Sequence, residues 1–252
     1  MDVLFTICGR AGSKGIKNKN IKNFCGKPLP YYTISAIDLF LKSTKRNIIA
    51  DIVVSTDSIE LIKIMSDNTM RKVDIIERDE KLSGDSVGKI AVIEDCVEQM
   101  QKRMGKKYDV VMDLDITSPL RRVIDIENVI DRHITTNADV TTTVASARRN
   151  PYFNQVKKCE QGFKRVIDSN FTARQQAPDI YDMNASIYAY SPAYLSTGKG
   201  VLGGYCECVE MYDTGILDLD HENDFELMQV IANYLYKNNS EFGVVADNIY
   251  YI

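Results

Sequence analysis

A glycine-rich, basic loop follows the first apolar run of the chain. Residues 9–20 read Gly-Arg-Ala-Gly-Ser-Lys-Gly-Ile-Lys-Asn-Lys-Asn, directly after the run from Val3 to Cys8. Glycines let the backbone approach a ligand closely, and the amides of such a turn can converge on an anion. The spacing fits neither the Walker pattern, because Lys14 stands where the second glycine belongs, nor the G-x-G-x-x-G fingerprint. The order of strand, loop and helix favours a nucleotide-phosphate loop over a merely solvated one.

Two carboxylates near the other end of the chain have the spacing of one strand face. Asp218 and Asp220 are separated by one residue, and residues i and i+2 of a strand point to the same side. Paired carboxylates repel unless a cation lies between them, and oxygen ligands suit Mg²⁺. We therefore predict Mg²⁺ at this pair and a structural role for Asp224 at a helix start. The alternative makes Asp220 a helix N-cap and leaves Asp218 solvated.

Alternating apolar patterns predict the elements that carry these groups. Short apolar runs predict strands at 3–8, 51–56, 73–76, 110–114, 139–145 and 216–220. Apolar residues at helical spacing predict helices from Pro28 and over 58–70, 90–104, 123–135 and 225–235. This alternation predicts an α/β fold with a mainly parallel, twisted sheet and helices on both faces. In such a sheet the loops after Cys8, Thr56 and Leu114 surround one site.

The pattern changes after about Asn150. Residues 152–157 and 163–168 predict two strands joined by a turn at Gly162, and Ala185 to Tyr190 alternates like a half-exposed strand. We interpret roughly 148–200 as a small insertion lobe within a single domain of residues 1–252. Such a lobe could carry substrate contacts or a dimer interface.

Composition limits the classes of protein. The 252 residues are 44% hydrophobic and carry a net charge of −4, so a chain that coats nucleic acid is not expected. No apolar stretch is long enough to span a bilayer, and the N-terminus has no basic region typical of a signal peptide. The six cysteines are scattered without a CxxC pair, which predicts reduced thiols in a cytoplasmic protein.

The basic loop carries a more specific resemblance. RAGSKGIKNKNIKNFCGKPL resembles the start of the acylneuraminate (CMP-sialic acid synthetase-like) cytidylyltransferases, and STDS at 55–58, TSPLR at 117–121 and DLDHENDFE at 218–226 follow in the family's order. The resemblance implies a Rossmann-like fold of the nucleotide-diphospho-sugar transferase type. It also implies transfer of CMP from CTP to an acid sugar, with the metal bound by Asp218 and Asp220.

The family's nucleotide contacts carry over position by position. The resemblance places the triphosphate over the loop and predicts nucleotide contacts from Arg10, Gly12, Ser13, Lys14, Lys19, Asn20, Arg78, Ser83, Asp85 and Asp115. Arg10, Lys14 and Asp218 are the predicted catalytic residues. Asp115 departs from the family's pattern, which usually has Gln at this position. It either alters the base or phosphate contacts or helps to hold a metal ion.

The insertion lobe is predicted to choose the sugar. Arg174-Gln175-Gln176-x-Pro178 resembles the family stretch that contacts the acid sugar, where an arginine fork suits a carboxylate. Asn184-Ala-Ser-Ile-Tyr188 aligns with N-G-A-I-Y of sialic-acid enzymes, which often carry Arg where Met183 stands. Together with Tyr152 and Phe153, these residues resemble the branch that uses legionaminic acid. The predicted sugar contacts are Arg174, Gln175, Met183, Asn184, Tyr152 and Phe153.

These features predict a CTP-dependent enzyme with Mg²⁺ as its cofactor. The anomeric hydroxyl of the sugar attacks the α-phosphorus and pyrophosphate leaves, with Asp218 or a metal-bound hydroxide as candidate base. The expected substrates are CTP and a nine-carbon acid sugar, foremost N,N′-diacetyllegionaminic acid. Sialic, pseudaminic and keto-deoxyoctulosonic acids remain alternatives, as does a regulatory nucleotide-binding domain without catalysis. The family also implies a homodimer; neither nucleic acid nor a membrane is expected as a partner.

Overall fold

The structure is a computed structural model that describes residues 1–12, 15–84, 87–213 and 219–249. Its strands, in chain order, are β1 (Asp2–Cys8), β2 (Asn23–Phe24), β3 (Lys27–Pro28), β4 (Ile49–Thr56), β5 (Asp74–Glu77), β6 (Val110–Leu114), β7 (Val140–Ser146), β8 (Val156–Cys159), β9 (Gly162–Arg165), β10 (Tyr181–Tyr190) and β11 (Cys206–Glu210). Its α-helices are α1 (Leu29–Ser43), α2 (Ile59–Ser66), α3 (Lys89–Met104), α4 (Val123–Thr136), α5 (Pro192–Leu195), α6 (Glu222–Asn238) and α7 (Ser240–Asp247).

A seven-stranded sheet forms the centre of the molecule, in the order β11-β7-β10-β6-β1-β4-β5. β10 pairs antiparallel with both β6 and β7, whereas the other neighbours in this sheet pair in parallel. The predicted mainly parallel sheet is confirmed. The carboxyl ends of the parallel strands and the start of β10 therefore meet at one edge.

The side chains of β1 point alternately into two apolar layers, one on each face of the sheet. Val3, Phe5 and Ile7 are fully buried in one cluster, whereas Leu4 is fully buried in the other, because successive side chains point to opposite faces. The first layer is covered by α1, α2, α4, α6 and α7, and the second by α3 and α5. The prediction of helices on both faces is confirmed.

The predicted insertion lobe is too long at its C-terminal end. The β8–β9 hairpin lies outside the central sheet, but β10 is inserted between β6 and β7. Residues 181–190 therefore belong to the central sheet rather than to a lobe over 148–200. The prediction that Ala185 to Tyr190 is half-exposed was also wrong, since 186–190 are buried. Tyr188 and Tyr190 pack in the layer covered by α3 and α5, so their alternating pattern does not mark a solvent face.

The C-terminal part of the sheet differs from the prediction. The predicted strand at 216–220 lies mostly outside the described residues. The sequence did not predict β11, which pairs in parallel with β7 at the sheet edge. The sequence of β11, CECVE, has glutamates and cysteines where a buried strand would have a run of apolar residues. Within the described ranges, no helix has the length and hydropathy needed to cross a membrane.

Candidate active site

The loop after β1 is braced by neighbouring strands and by its own side chains. The backbone amide of Gly9 donates to Ser55 O at 3.1 Å, and that of Ala11 donates to Asp57 Oδ1 at 2.6 Å. Asn20 Nδ2 donates to Arg10 O at 3.0 Å and so closes the loop on itself. The STDS segment after β4 thus helps to shape the loop after β1. Ser13 and Lys14, two predicted nucleotide contacts, lie outside the described residues.

This loop forms one wall of a pocket of about 490 Å³ at the carboxyl edge of the sheet. The pocket is lined by Cys8, Arg10, Gly15, Lys19, Asn20, Arg78, Leu82, Gly84, Val87, Lys89, Val92, Asp115, Thr117 and Asp220. The structure therefore brings together predicted site residues from the loops after β1, β5 and β6 and from the start of α6. Basic side chains, an apolar patch and carboxylates meet there, as a nucleotide triphosphate requires.

Two of the predicted nucleotide contacts that the structure describes, Gly12 and Ser83, do not line this pocket. Gly12 is exposed, with a left-handed φ of 72°, and does not line the pocket. Ser83 donates its hydroxyl to Asp79 O at 3.2 Å, while its neighbours Leu82 and Gly84 line the pocket instead. Asp85 lies outside the described residues.

Arg78, which lines the pocket, is held in place by hydrogen bonds to the end of β4. Its side chain is buried, with Nε 3.2 Å from Ser55 Oγ and Nη2 2.7 Å from Ser55 O. Ser55 is the last residue but one of β4, and its carbonyl also accepts from Gly9. One strand end therefore holds both the basic loop and the arginine that the sequence assigns to the nucleotide.

The acidic segment before α6 lies directly against the basic loop. Lys19 Nζ donates to Leu219 O at 2.6 Å and is 3.9 Å from Asp220 Oδ1. A Cβ atom at Gly15 would lie 1.9 Å from the backbone carbonyl oxygen of Asp220, so only glycine permits this approach. Asp224 accepts from the backbone amide of His221 at 2.8 Å, which is the structural role predicted for it at the helix start.

The N-cap of α6 is His221 rather than Asp220, so the carboxylate of Asp220 is not used as a helix cap. Asp220 is exposed and lines the pocket, whereas Asp218 lies outside the described residues. Among the residues that the structure describes, no three His, Cys, Asp or Glu side chains are grouped for a metal ion. A hard oxygen donor that faces a phosphate pocket nevertheless fits the chemistry of Mg²⁺.

A half-buried lysine that the sequence did not single out, Lys89, lines the same pocket. Lys89 Nζ is 2.6 Å from Asp113 Oδ2 and 2.8 Å from Asp115 Oδ2. Burial alone would raise the pKa of the Asp115 carboxyl, but the Lys89 ammonium holds that pKa below its ordinary value. Asp115 Oδ1 also accepts from Thr117 Oγ1 at 3.2 Å. Both oxygens of Asp115 are engaged, so a metal ion there would have to displace the ammonium.

A second pocket of about 470 Å³ opens at the same sheet edge, beside the end of β7 and the start of β10. It is lined by Ala145, Ser146, Arg148, Arg149, Gln155, Tyr181, Asp182, Met183, Asn184 and Asp213. Met183 and Asn184 are predicted sugar contacts, and Asn184 Oδ1 accepts from Thr143 Oγ1 at 2.6 Å. Arg148 and Arg149 supply the positive charge of this pocket.

The remaining predicted sugar contacts are not among the residues that line this second pocket. Arg174 Nη2 donates to Ala147 O at 3.1 Å, next to Arg148, and Gln175 follows it in a short 3₁₀ helix. Tyr152 packs edge-on against Phe171, with ring centroids 6.2 Å apart. Phe153 is half-buried in the turn that follows Asn150, to whose carbonyl its amide donates at 3.0 Å.

A buried arginine connects the walls of the two pockets. Arg121 Nη2 donates to Asp115 O at 2.9 Å and to Ser186 O at 2.8 Å, and its Nε donates to Ser186 Oγ at 3.2 Å. Burial lowers the pKa of Arg121 to about 10, which still leaves the guanidinium charged at neutral pH. The arginine of the TSPLR segment therefore ties the end of β6 to the part of β10 that carries Asn184.

A mainly parallel α/β sheet whose carboxyl edge carries a basic loop facing an acidic segment has the arrangement expected of a nucleotide-phosphate site. The family described as "Cytidylyltransferase" matches residues 4–238. The chain belongs to the cytidylyltransferase family, whose members are CTP-dependent enzymes.

Two curated proteins are similar over almost the whole chain. "Post-translational flagellin modification protein B" of Campylobacter coli is 32% identical over 230 residues, covering 91% of this chain and 94% of that protein. "CMP-N,N'-diacetyllegionaminic acid synthase" of Campylobacter jejuni is 31% identical over 232 residues, covering 92% of this chain and 95% of that protein.

Solved structures support the fold. A CMP:2-keto-3-deoxy-manno-octonic acid synthetase complexed with CTP superposes with a TM-score of 0.62 at 16% identity. That superposition covers 93% of this chain and 99% of the other. The two proteins therefore share the arrangement of the sheet and helices.

Proposed function

We propose that the protein transfers CMP from CTP to the anomeric hydroxyl of a nine-carbon acid sugar and releases pyrophosphate. N,N′-diacetyllegionaminic acid is the proposed sugar, in keeping with the name of the Campylobacter jejuni relative. The observation that carries the proposal is the pocket in which Arg10, Lys19 and Arg78 face Asp220. Such a pocket suits a nucleotide triphosphate on one side and charge neutralisation on the other.

The nucleotide would lie with its phosphates along the basic loop. Arg10 and Lys19, together with Ser13 and Lys14, would bind the phosphate oxygens and stabilise the charge that develops as pyrophosphate leaves. Leu82, Gly84, Val87 and Val92 provide an apolar surface suited to a base, and Arg78 lies beside it. In the reaction, a bond forms between the sugar oxygen and the α-phosphorus, and the bond from that phosphorus to the pyrophosphate oxygen breaks.

Mg²⁺ is the proposed cofactor, held by Asp218 and Asp220. When bound, the ion would neutralise phosphate charge and so lower the barrier to displacement. Asp220 contributes a carboxylate that is exposed to the pocket and not used as the helix cap. Lys19, near the end of the basic loop, lies 3.9 Å from this carboxylate, and the attraction between the opposite charges holds the acidic segment against the loop.

The second pocket is the proposed sugar site. Asn184 would donate or accept a hydrogen bond, and the half-exposed Met183 offers an apolar contact for a methyl or acetamido group. Arg148 forms an ion pair with Asp213 at 2.7 Å, which leaves Arg149 and the neighbouring Arg174 to bind the sugar carboxylate.

A homodimer and a cytoplasmic location complete the proposal. The β8–β9 hairpin exposes Val156 and Phe163, whose relative accessibilities of 59% and 69% make it a candidate contact surface between two copies. The cysteines are free thiols, as a reducing compartment allows. Light scattering of the purified protein would measure the mass; a monomer at micromolar concentration would contradict the dimer.

Pyrophosphate release tests the reaction and the sugar together. The purified protein is incubated with CTP, Mg²⁺ and, in turn, N,N′-diacetyllegionaminic, sialic, pseudaminic or keto-deoxyoctulosonic acid. We expect the highest kcat/KM with legionaminic acid and loss of release in Asp218→Asn and Asp220→Asn. A different preferred sugar would retain the reaction and reject the role of Met183. CTP binding without release for any sugar would reject catalysis in favour of a regulatory domain.

A further inference from the structure

Lys89, a half-buried lysine that lines the proposed nucleotide pocket, is bound to two carboxylates at once. Lys89 Nζ lies 2.6 Å from Asp113 Oδ2 and 2.8 Å from Asp115 Oδ2. It also lies 5.6 Å from the ring centroid of Tyr188, which adds a cation–π contact. Asp113 is fully buried, and its other oxygen accepts from Thr6 Oγ1 at 2.8 Å. The ammonium at the start of α3 is thus held by groups from β6, from the residue that follows it and from β10.

This cluster belongs to the nucleotide pocket as well as to the core. Lys89 and Asp115 line the pocket together with Arg10 and Arg78. Asp113 and Asp115 would give this floor two negative charges, and Lys89 cancels one of them. A triphosphate brings several more negative charges to the same pocket, and Coulomb repulsion in a partly buried site is much less screened than in water.

The cluster also accounts for a second acid two residues beyond the buried Asp113. Position 115 carries Asp115, whose side chain is 23% exposed. An unpaired carboxylate beside a buried Asp113 would repel both its neighbour and the substrate. The ion pair of Asp115 with Lys89, at 2.8 Å, offsets this repulsion, so the carboxylate at 115 depends on the ammonium at 89.

We propose that Lys89 is a positioning residue for CTP binding: it orients Asp115 and neutralises the acidic floor of the pocket, so that the floor accepts a triphosphate. The inference rests on the proposed CTP substrate. Its consequence is that affinity for CTP follows the net charge of residues 89, 113 and 115. Lys89→Met would shift that charge from −1 to −2, and the double variant Lys89→Met/Asp115→Gln would return it to −1.

The test measures the Kd of CTP by calorimetry and the KM and kcat of pyrophosphate release. We expect Lys89→Met to raise the Kd and the KM for CTP about tenfold with a smaller change in kcat, because one added charge acts on binding. The double variant should recover most of this loss, and Lys89→Arg should stay within about threefold of the unmodified protein.

The chain supplies a matched control at the opposite end of the sheet. Lys106 Nζ lies 2.7 Å from Asp2 Oδ1 and 2.9 Å from Asp51 Oδ2, and 5.2 Å from the ring centroid of Tyr108. Lys106→Met removes the same kind of lysine from the same kind of cluster, away from the pocket. It should leave the Kd and the KM for CTP unchanged, while thermal unfolding reports the loss of stability in both single variants.

Two results would overturn the inference. One is a double variant that binds CTP no better than Lys89→Met, which would make Lys89 a purely structural residue. The other is a Lys89→Met protein that remains folded and binds CTP as tightly as the unmodified protein. If the unmodified protein does not bind CTP, the proposed function itself fails, and this outcome is separate from the other two. If Lys89→Met does not fold, the double variant decides alone: a Kd for CTP close to that of the unmodified protein supports the inference, and a Kd raised about tenfold overturns it.

Discussion

Gly15 is the residue at which the two chemically distinct segments of the site come into contact. The basic loop and the acidic segment before α6 approach so closely that a Cβ atom would lie 1.9 Å from Asp220 O. The obstructing atom is a backbone oxygen, so no side-chain rotation can relieve the clash. The presence of glycine is therefore a packing requirement imposed by a segment about two hundred residues away along the chain.

Gly15→Ala should separate the loop from Asp220 and disrupt the phosphate site. We expect kcat/KM for CTP to fall by roughly a hundredfold, since an ångström of displacement at a reacting centre can cost that much. Steady-state pyrophosphate release measures the effect. Gly200→Ala is the control, because Gly200 is exposed and a Cβ there meets no atom within 4 Å. Full activity in Gly15→Ala would contradict the close approach.

His133 is the second residue whose surroundings have a measurable consequence. It is buried, and its Nδ1 lies 3.2 Å from Thr141 Oγ1. Burial lowers the pKa of His133 from 6.5 to about 4, against a smaller opposing effect of Asp139. The unfolded chain therefore binds a proton that the folded protein excludes, and stability falls as the pH drops from 6.5 towards 4.

The contribution of His133 amounts to about 2 kcal/mol of lost unfolding free energy at about pH 5. His133→Gln has no such proton uptake, so its stability should depend less steeply on pH between 6.5 and 4. Urea denaturation at several pH values measures the slope. His221→Gln, which removes the exposed histidine at the N-cap of α6, is the comparison variant. Equal slopes in all three proteins would exclude a buried, neutral His133.

At the scale of elements, β10 combines a regular half and an irregular half. Its pairing with β7 shifts register between Met183 and Tyr188, and Ala185 has a left-handed φ of 47°. Left-handed backbone costs a residue with a side chain roughly 1 kcal/mol. The irregularity lies beside Asn184 and Met183 at the second pocket, so it determines where these side chains project.

Glycine within a strand normally destabilises a protein, but Ala185→Gly should be tolerated because Ala185 already has a left-handed φ. Relief of the left-handed strain offsets the entropy cost of glycine, and we expect the unfolding free energy to change by less than about 0.5 kcal/mol. Ala189→Gly, at a buried and regular position of the same strand, should cost about 1 kcal/mol. Urea denaturation compares the two; an equal loss in both variants would argue against the strain at 185.

The sequence was informative about elements whose signals are local. β1, β4 and β6 are short apolar runs, and the loops that follow them do meet at the carboxyl edge, because parallel strands end on one side. The antiparallel insertion of β10 was missed, since its partners are fixed by pairing between distant segments. Lys89 was missed for the same reason: a lysine that begins a helix normally indicates a solvated position, and only the fold brings Asp113 and Asp115 to it.

At the scale of the whole molecule, the proposed nucleotide pocket brings together residues that are far apart along the chain. Arg10, Lys19 and Asn20 come from its beginning, whereas Asp220 comes from its last quarter. A ligand that spans the pocket therefore stabilises contacts between segments that separate on unfolding. Binding to the folded state alone raises stability by mass action.

CTP at about a hundred times its Kd should stabilise the protein by about 2.7 kcal/mol. For a chain of this size that corresponds to an increase in the unfolding temperature of about 5–10 °C. Differential scanning fluorimetry with CTP and Mg²⁺ measures the shift, and ATP at the same concentration is the control. A shift as large with ATP would reject a pocket selective for cytosine, and Gly15→Ala should show little shift with either nucleotide.

The position of β10 also determines when the protein can become active during its synthesis. β6 and β7 leave the ribosome earlier than the strand that separates them, so each first presents an edge with unpaired amides and carbonyls. Only when residues 181–190 have emerged can these two edges be joined, and Asp220 emerges later still. A nascent chain halted before residue 181 therefore holds the strands of β5-β4-β1-β6 with one open edge, while β7 lacks both of its neighbours, β10 and β11. Such a chain is prone to aggregation and lacks the residues that complete the site.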